Sequence, residues 1–383
     1  METRKRYYED SHQKAFVATV LSGRQTEKGW QVVLDATCFY PEGGGQACDL
    51  GTLGSARVLD VQEDGQQVLH LCDSPLEVGA EVEGHIDWER RFDLMQQHSG
   101  EHILSGLIHK AFGYHNVGFH IGNQVMEVDF DGPITPEQLW ELERQANEAV
   151  WKNQKVVCWY PDEEWLAETP YRSKKALTPP VRIVWMPGYD VCACCGVHVK
   201  QAGEIGIIKI LSCVKFHQGV RLQMVCGNRA YRYLFQIFEQ NRQVSQLFSA
   251  KLPETAEAAK RINQQLTEEK FRATGLQKRL FGFIAAGYAN AGNVLHFEDV
   301  LAPAQVRELA DAIAKACGGT AAVLSGTDEG GYSLCLIGPG AKETGSALTQ
   351  QLGGRGGGKP DAFQGSLQAT KAQIETFWQE SCI

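Results

Sequence analysis

The chain has 383 residues, 43% hydrophobic and 22% charged, with a net charge of −9. That is the composition of a globular protein of about two to four domains, and its acidic balance argues against bulk, non-specific affinity for nucleic acid. No apolar run reaches membrane-spanning length, and the start, METRKRYYEDSHQK, lacks the apolar core of a secretory signal. A cytoplasmic location with no membrane partner is therefore expected, and the twelve cysteines read as reduced thiols and metal ligands rather than a disulfide framework.

Residues 14–85 read as mostly β. KAFVATVLSG and GWQVVLDATCFY are strand-like, and the glycine turn PEGGGQACDLGTLG follows the second. SARVLDVQEDGQQVLHLC predicts a hairpin around Asp64-Gly65. A small barrel is expected here. From 87 to 113 the period turns helical. NQVMEVDFDG fits a strand, and ITPEQLWELERQANEAVWKN predicts a threonine-capped helix. Short strands then run to about residue 227, giving an α+β region. Residues 228–290 predict a paired-helix linker broken near Pro253, and the last hundred residues a separate unit of strands and helices. Two stretches, 171–182 and 228–242, are locally basic; each reads equally as a binding surface or as a solvated face.

The stretch QHSGEH places His98 and His102 four apart, on one face of the predicted helix. DVCACCGVHVK adds Cys194 and His198 at the same spacing. Three imidazoles and a thiolate form a four-donor set suited to zinc. Cys192-x-x-Cys195 has zinc-ribbon spacing, but no second such pair exists in the chain, so these two cysteines read as neighbours of the site. A rival reading takes His98, Glu101 and His102 as the inverted zinc-peptidase pattern, with Glu141, Glu143 or Glu148 as third ligand. It leaves Cys194 and His198 without a role.

His-x-x-x-His followed by Cys-x-x-x-His resembles the editing domain of alanyl-tRNA synthetase and its free-standing relatives, the AlaX trans-editing proteins. TCFYPEGGGQACDLGTL (37–53), GEIGIIKI (203–210) and GVRLQMVCG (219–227) are similar to further signatures of that domain, and GGRGGGKPDAFQGS (353–366) to the glycine-rich signature of the C-terminal, DHH-associated domain. The resemblance runs the length of the chain in one order. It implies the long AlaX form: an N-terminal β-barrel over 1–88, a zinc-binding editing domain over 89–227, a helical linker over 228–290 and an α/β C-terminal tRNA-binding domain over 291–383. The overall class expected is α+β.

The implied activity is hydrolysis of tRNA(Ala) mischarged with serine or glycine, with one zinc per chain held by His98, His102, Cys194 and His198. No room is left for an adenylate-forming domain of the synthetase type, so alanine activation is not expected. Glu101 and Gln46 are the catalytic candidates. Gly44, Gly45 and Gln46 are expected to border the cleft. Phe119, His120, Val197 and Arg221 are further candidates to contact substrate, and Arg355 and Lys359 to meet the tRNA backbone. Val197 stands where the family has threonine, which puts fine selectivity in question. The linker or last domain is a candidate for homodimer formation. A zinc-containing tRNA-binding protein without activity is the third reading.

Overall fold

The computed structural model describes residues 2–173 and 180–381. It forms two compact units, Met1–Gln243 and Val244–Ile383. Lys174 and Lys175 of the first basic stretch lie outside the described residues. No helix among the described residues is long and apolar enough to cross a membrane.

The first unit begins with six antiparallel strands. Ala15–Thr26, Gly29–Leu34, Gln67–Cys72, Ala56–Asp64, Gly51–Leu53 and Glu81–Ile86 pair in that order, and the last pairs back onto the first. Alternation drives this: in Glu81–Ile86 every second residue is buried. The hairpin falls where expected, with Asp64 opposite Gln67 and Gly65 at φ +58°.

The expected fold class needs correction on two counts. A barrel standing as its own domain is not what forms. The strands share one compact unit with everything up to Gln243. Tyr7 and Tyr40, from the strand segment, are buried in the core of the α+β layer. The second count is the C-terminal sheet, whose order is Gly292–Glu298, Gly318–Thr327, Gly331–Ile337, Ala362–Leu367, Gly354–Lys359. Only its first pair is parallel; the other three pairings are antiparallel. Short turns at 328–330 and 360–361 join neighbouring strands, and such turns permit only antiparallel pairing. This unit is α+β, not α/β.

Behind the strands runs the helix Trp88–Phe112. Asp87 caps its start by accepting from the Arg90 amide, and Gly113 ends it at φ +73°. It is buried almost continuously from Leu94 to Ile108. Against it lie the sheet Ile208–Phe216, Gly219–Cys226, Met126–Phe130, Asn116–Ile121 and the three strands Val157–Trp159, Ile183–Met186, Asp190–Ala193. Thr135 closes a capping box with Gln138 at the helix Pro136–Lys152. Further on, the helices Gly227–Leu247 and Thr255–Ala286 flank a short turn at Leu252–Glu254 that carries Pro253.

Candidate active site and metal centre

His98 and His102 project from the same face of the long helix. The loop after Asp190–Ala193 brings Cys194 and His198 to them. One donor atom from each of the four lies within 4.8 Å of the others, and the three histidines are each only 2% exposed.

Each imidazole is held by its Nδ1. His98 Nδ1 meets Gln46 Oε1 at 2.8 Å, and His102 Nδ1 meets Asp190 Oδ2 at 2.8 Å. Ser99 Oγ lies 3.3 Å from His198 Nδ1. This leaves the Nε2 atoms for a metal, the usual division between ligating and anchoring nitrogens. His198 Nε2 is buried with no hydrogen-bond partner among the described residues. Such an orphan acceptor in a nitrogen and sulfur cluster fits zinc. Burial opposes the thiolate of Cys194, but the imidazoles of His98, His102 and His198 overcome it and hold its pKa well below the ordinary value. Burial likewise opposes charge on His102, yet Asp190 and Cys194 raise it to about 10. His198, buried and beside His98, is pushed well below its usual value.

Asp190 is itself gripped by Arg172, with Nε to Oδ1 at 2.7 Å and Nη2 to Oδ2 at 2.8 Å. The chain Arg172, Asp190, His102 was not foreseen in the sequence. Cys192 joins His102 and Asp190 as a second group of donors, but burial holds it as a thiol. Cys195 is exposed and lines the cleft.

Two glycines are needed for close approach. Gly44 and Gly45 take φ +58° and +81°, as a two-residue type I′ turn requires, and a Cβ on Gly45 would strike the Phe119 ring at 2.5 Å. Gly196 sits against a candidate ligand: a Cβ there would lie 2.2 Å from His98 Cε1. Gly196→Ala is therefore expected to displace His98 and to weaken zinc binding about 10- to 100-fold, on the scale of other losses of ligand support. Competition against a chromophoric chelator measures it; unchanged affinity would show that the loop can retreat.

The donors open onto a cleft of ≈ 430 Å³, lined among others by Gly44, Gly45, Glu101, Phe119, Arg172 and Arg182. Glu101 is 4% exposed and accepts from Ser105 Oγ and, at 2.5 Å, from Asn116 Nδ2. Gln46 is 1% exposed, and its Nε2 has no partner among the described residues. The other expected contacts lie elsewhere. Val197 is fully buried in the apolar core. Arg221 pairs with Asp129 and lies over the Phe216 ring. His120 is on the strand Asn116–Ile121 but outside the cleft lining. Of the peptidase candidates, Glu141 and Glu148 pair with exposed Arg144, and Glu143 binds Lys209 and the Ile210 amide. None reaches the donor cluster. Arg355 and Lys359 stand on the edge strand Gly354–Lys359, whose six residues are all exposed.

Three family models match the chain. "tRNA synthetases class II (A)" covers residues 2–90, "Threonyl and Alanyl tRNA synthetase second additional domain" residues 181–222, and "DHHA1 domain" residues 291–381. The "Alanine--tRNA ligase" of Ignicoccus hospitalis is 31% identical over 374 residues, covering 93% of this chain and 40% of its own. The "Alanyl-tRNA editing protein Aarsd1" of Danio rerio is 29% identical over 364 residues, covering 92% of this chain and 88% of its own. The chain matches the AlaX-type alanyl-tRNA editing proteins. A Xenopus laevis editing protein of the same type is 29% identical and covered over 90% of its length, whereas the chain spans about two fifths of the ligase. The candidate ligands divide between these matches: Cys194 and His198, with Asp190 that supports His102, fall inside the second-additional-domain match, while His98 and His102 lie between matched segments.

Proposed function

We propose that the chain is a zinc-dependent deacylase that hydrolyses the ester of mischarged tRNA(Ala), chiefly Ser-tRNA(Ala) and also Gly-tRNA(Ala). The observation that carries this reading is the buried His98, His102, Cys194, His198 cluster at the base of a cleft. Zinc held there would polarise the ester carbonyl and organise a water. The protein's own groups do the rest. Gln46, Ser99 and Asp190 fix the three rings. Glu101, held by Ser105 and Asn116, is a buried carboxylate at the cleft wall, placed to take a proton from water and return it to the leaving ribose oxygen. The free Gln46 Nε2 is a donor awaiting an acceptor. Contact of Arg355 and Lys359 with the tRNA backbone belongs to the same reading and is supported by their exposure.

Discrimination follows from chemistry. An apolar activation pocket rejects an added hydroxyl only about 100-fold, while a site that hydrogen-bonds the hydroxyl can reject its absence by ~10⁴ or more. A second reading has one observation in its favour: four protein donors close a tetrahedral shell, the pattern of a structural zinc. Single-turnover decay of Ser-tRNA(Ala) and Ala-tRNA(Ala), with and without chelator, separates them. The deacylase clears the serine ester much faster and loses this on metal removal. Absence of hydrolysis would leave a tRNA-binding protein, and equal rates on both esters a general esterase.

A further inference from the structure

Arg182 is 6% exposed and lines the same cleft as His98, His102 and Cys194. Its Nη1 donates to the carbonyls of Cys194 and Gly196, both at 2.8 Å. Its guanidinium carbon lies 4.6 Å from the centre of the Tyr8 ring. No carboxylate among the described residues pairs with it, and residues 174–179, KKALTP, contain none. Fully buried Arg91 and half-buried Arg172 differ. Arg91 is paired with Asp49, and Arg172 with Asp190.

The ionisable groups around Arg182 do not neutralise it. Burial keeps Cys158 a thiol and Tyr8 and Tyr160 phenols. Cys194 Sγ is engaged elsewhere, 3.5 Å from His98 Nε2 and accepting from the Gly196 amide at 3.3 Å. Glu101 lines the cleft too and is held by Ser105 and Asn116, with no ion pair to Arg182. Carbonyls and a ring face satisfy hydrogen-bond donors without cancelling the charge. A buried cation left so is costly unless something anionic joins it. The Nε and Nη2 edge has no carbonyl or carboxylate partner among the described residues, and that edge is the fork that accepts two oxygens of one anion.

We propose that Arg182 binds the phosphodiester on the 5′ side of the terminal nucleoside, the one whose ribose carries the aminoacyl ester. This rests on the deacylase reading. It assigns a positioning residue, anchored by the backbone of the metal-binding loop, that seats the end of the nucleic acid in the cleft. A single developing oxyanion would use one donor; a phosphodiester uses both donors of the edge, beside which only the weakly accepting Cys158 sulfur lies.

The test compares adenosine 5′-monophosphate with adenosine, by calorimetry, on wild type, Arg182→Met and Arg182→Lys. Wild type should prefer the monophosphate, and Arg182→Met should lose that preference by about 10-fold or more, the scale of a hydrogen bond to a charged group. Arg182→Lys, which keeps the charge but not the fork, should retain part of it. Seryl esters of the same two nucleosides give the kinetic arm. KM should rise in Arg182→Met for the phosphorylated ester alone, and any fall in kcat from the loosened loop should be the same for both esters. An equal fall of kcat on both esters with no difference in KM between them would overturn the proposal. So would equal binding of both nucleosides to wild type. Preference for the monophosphate without hydrolysis of either ester would uphold the phosphate site and sink the deacylase reading instead.

Discussion

Methionine in place of Arg91 is expected to destabilise the first unit by about 3–5 kcal/mol, the usual result of stripping one partner from a buried ion pair. Arg91 and Asp49 are both fully buried. Arg91 Nε reaches the two Asp49 oxygens at 2.9 and 3.0 Å, Nη2 donates to the Cys38 carbonyl at 2.5 Å, and Nη1 to the Ser11 carbonyl at 3.0 Å. Asp49 also accepts from the Tyr40 amide at 2.6 Å. One guanidinium thus ties the long helix to three separate segments of the strand layer. The substitution leaves the Asp49 carboxylate buried with a single amide donor. Denaturant unfolding of wild type, Arg91→Met and Arg91→Met/Asp49→Leu measures the effect. The double variant should recover most of the loss, because the uncompensated charge is gone. A single variant within about 1 kcal/mol of wild type would mean that water reaches Asp49. The consequence extends to the site. Arg91 lies on the histidine helix and Gln46 on the strand side, so the same tie that stabilises the unit holds Gln46 against His98.

What the sequence made legible was whatever a local spacing encodes. His98 and His102 share a helix face because four residues nearly complete a turn, and Cys194 and His198 repeat the interval. The Asp64-Gly65 hairpin and the Thr135 cap were readable for the same reason. The supports of the site were not readable. Asp190 meets His102 across 88 residues and Gln46 meets His98 across 52, and no periodicity connects such partners. Val197 shows the converse limit of spacing. Its position between two metal-binding loop residues suggested contact with substrate, but its side chain turns into the apolar core. Arg221, a substrate-contact candidate by sequence, pairs with Asp129 on the neighbouring strand. The C-terminal class was misread because helix and strand content do not distinguish a crossover from a hairpin. The lengths of the turns at 328–330 and 360–361 do.

Asp190→Asn should weaken zinc binding about 10- to 100-fold, the range found when the partner of a ligating imidazole is removed. The carboxylate does two jobs at once. Its Oδ2 receives both His102 Nδ1 and Arg172 Nη2, each at 2.8 Å, and its Oδ1 receives Arg172 Nε at 2.7 Å. An asparagine has one acceptor oxygen. If that oxygen faces His102, the amide NH₂ opposes Arg172, a donor against a donor. If it faces Arg172, the NH₂ opposes His102 Nδ1–H, and the ring must turn or change tautomer, which takes Nε2 away from the cluster. Either outcome costs, but they are separable. Arg172→Met removes the guanidinium and keeps the carboxylate on His102. Should the only role of Asp190 be to neutralise Arg172, then Asp190→Asn would lower the melting temperature and leave zinc affinity where it was, and Arg172→Met would be no worse for zinc than wild type. Should Asp190 orient His102, zinc affinity falls in Asp190→Asn and falls less in Arg172→Met, because a carboxylate without its clamp still accepts the Nδ1 proton. Chelator competition on the two variants, read beside their melting temperatures, decides between them. The burial of Asp190 beside a ring that is 2% exposed favours the second result: no water is at hand to take over the Nδ1 hydrogen bond once the carboxylate is lost.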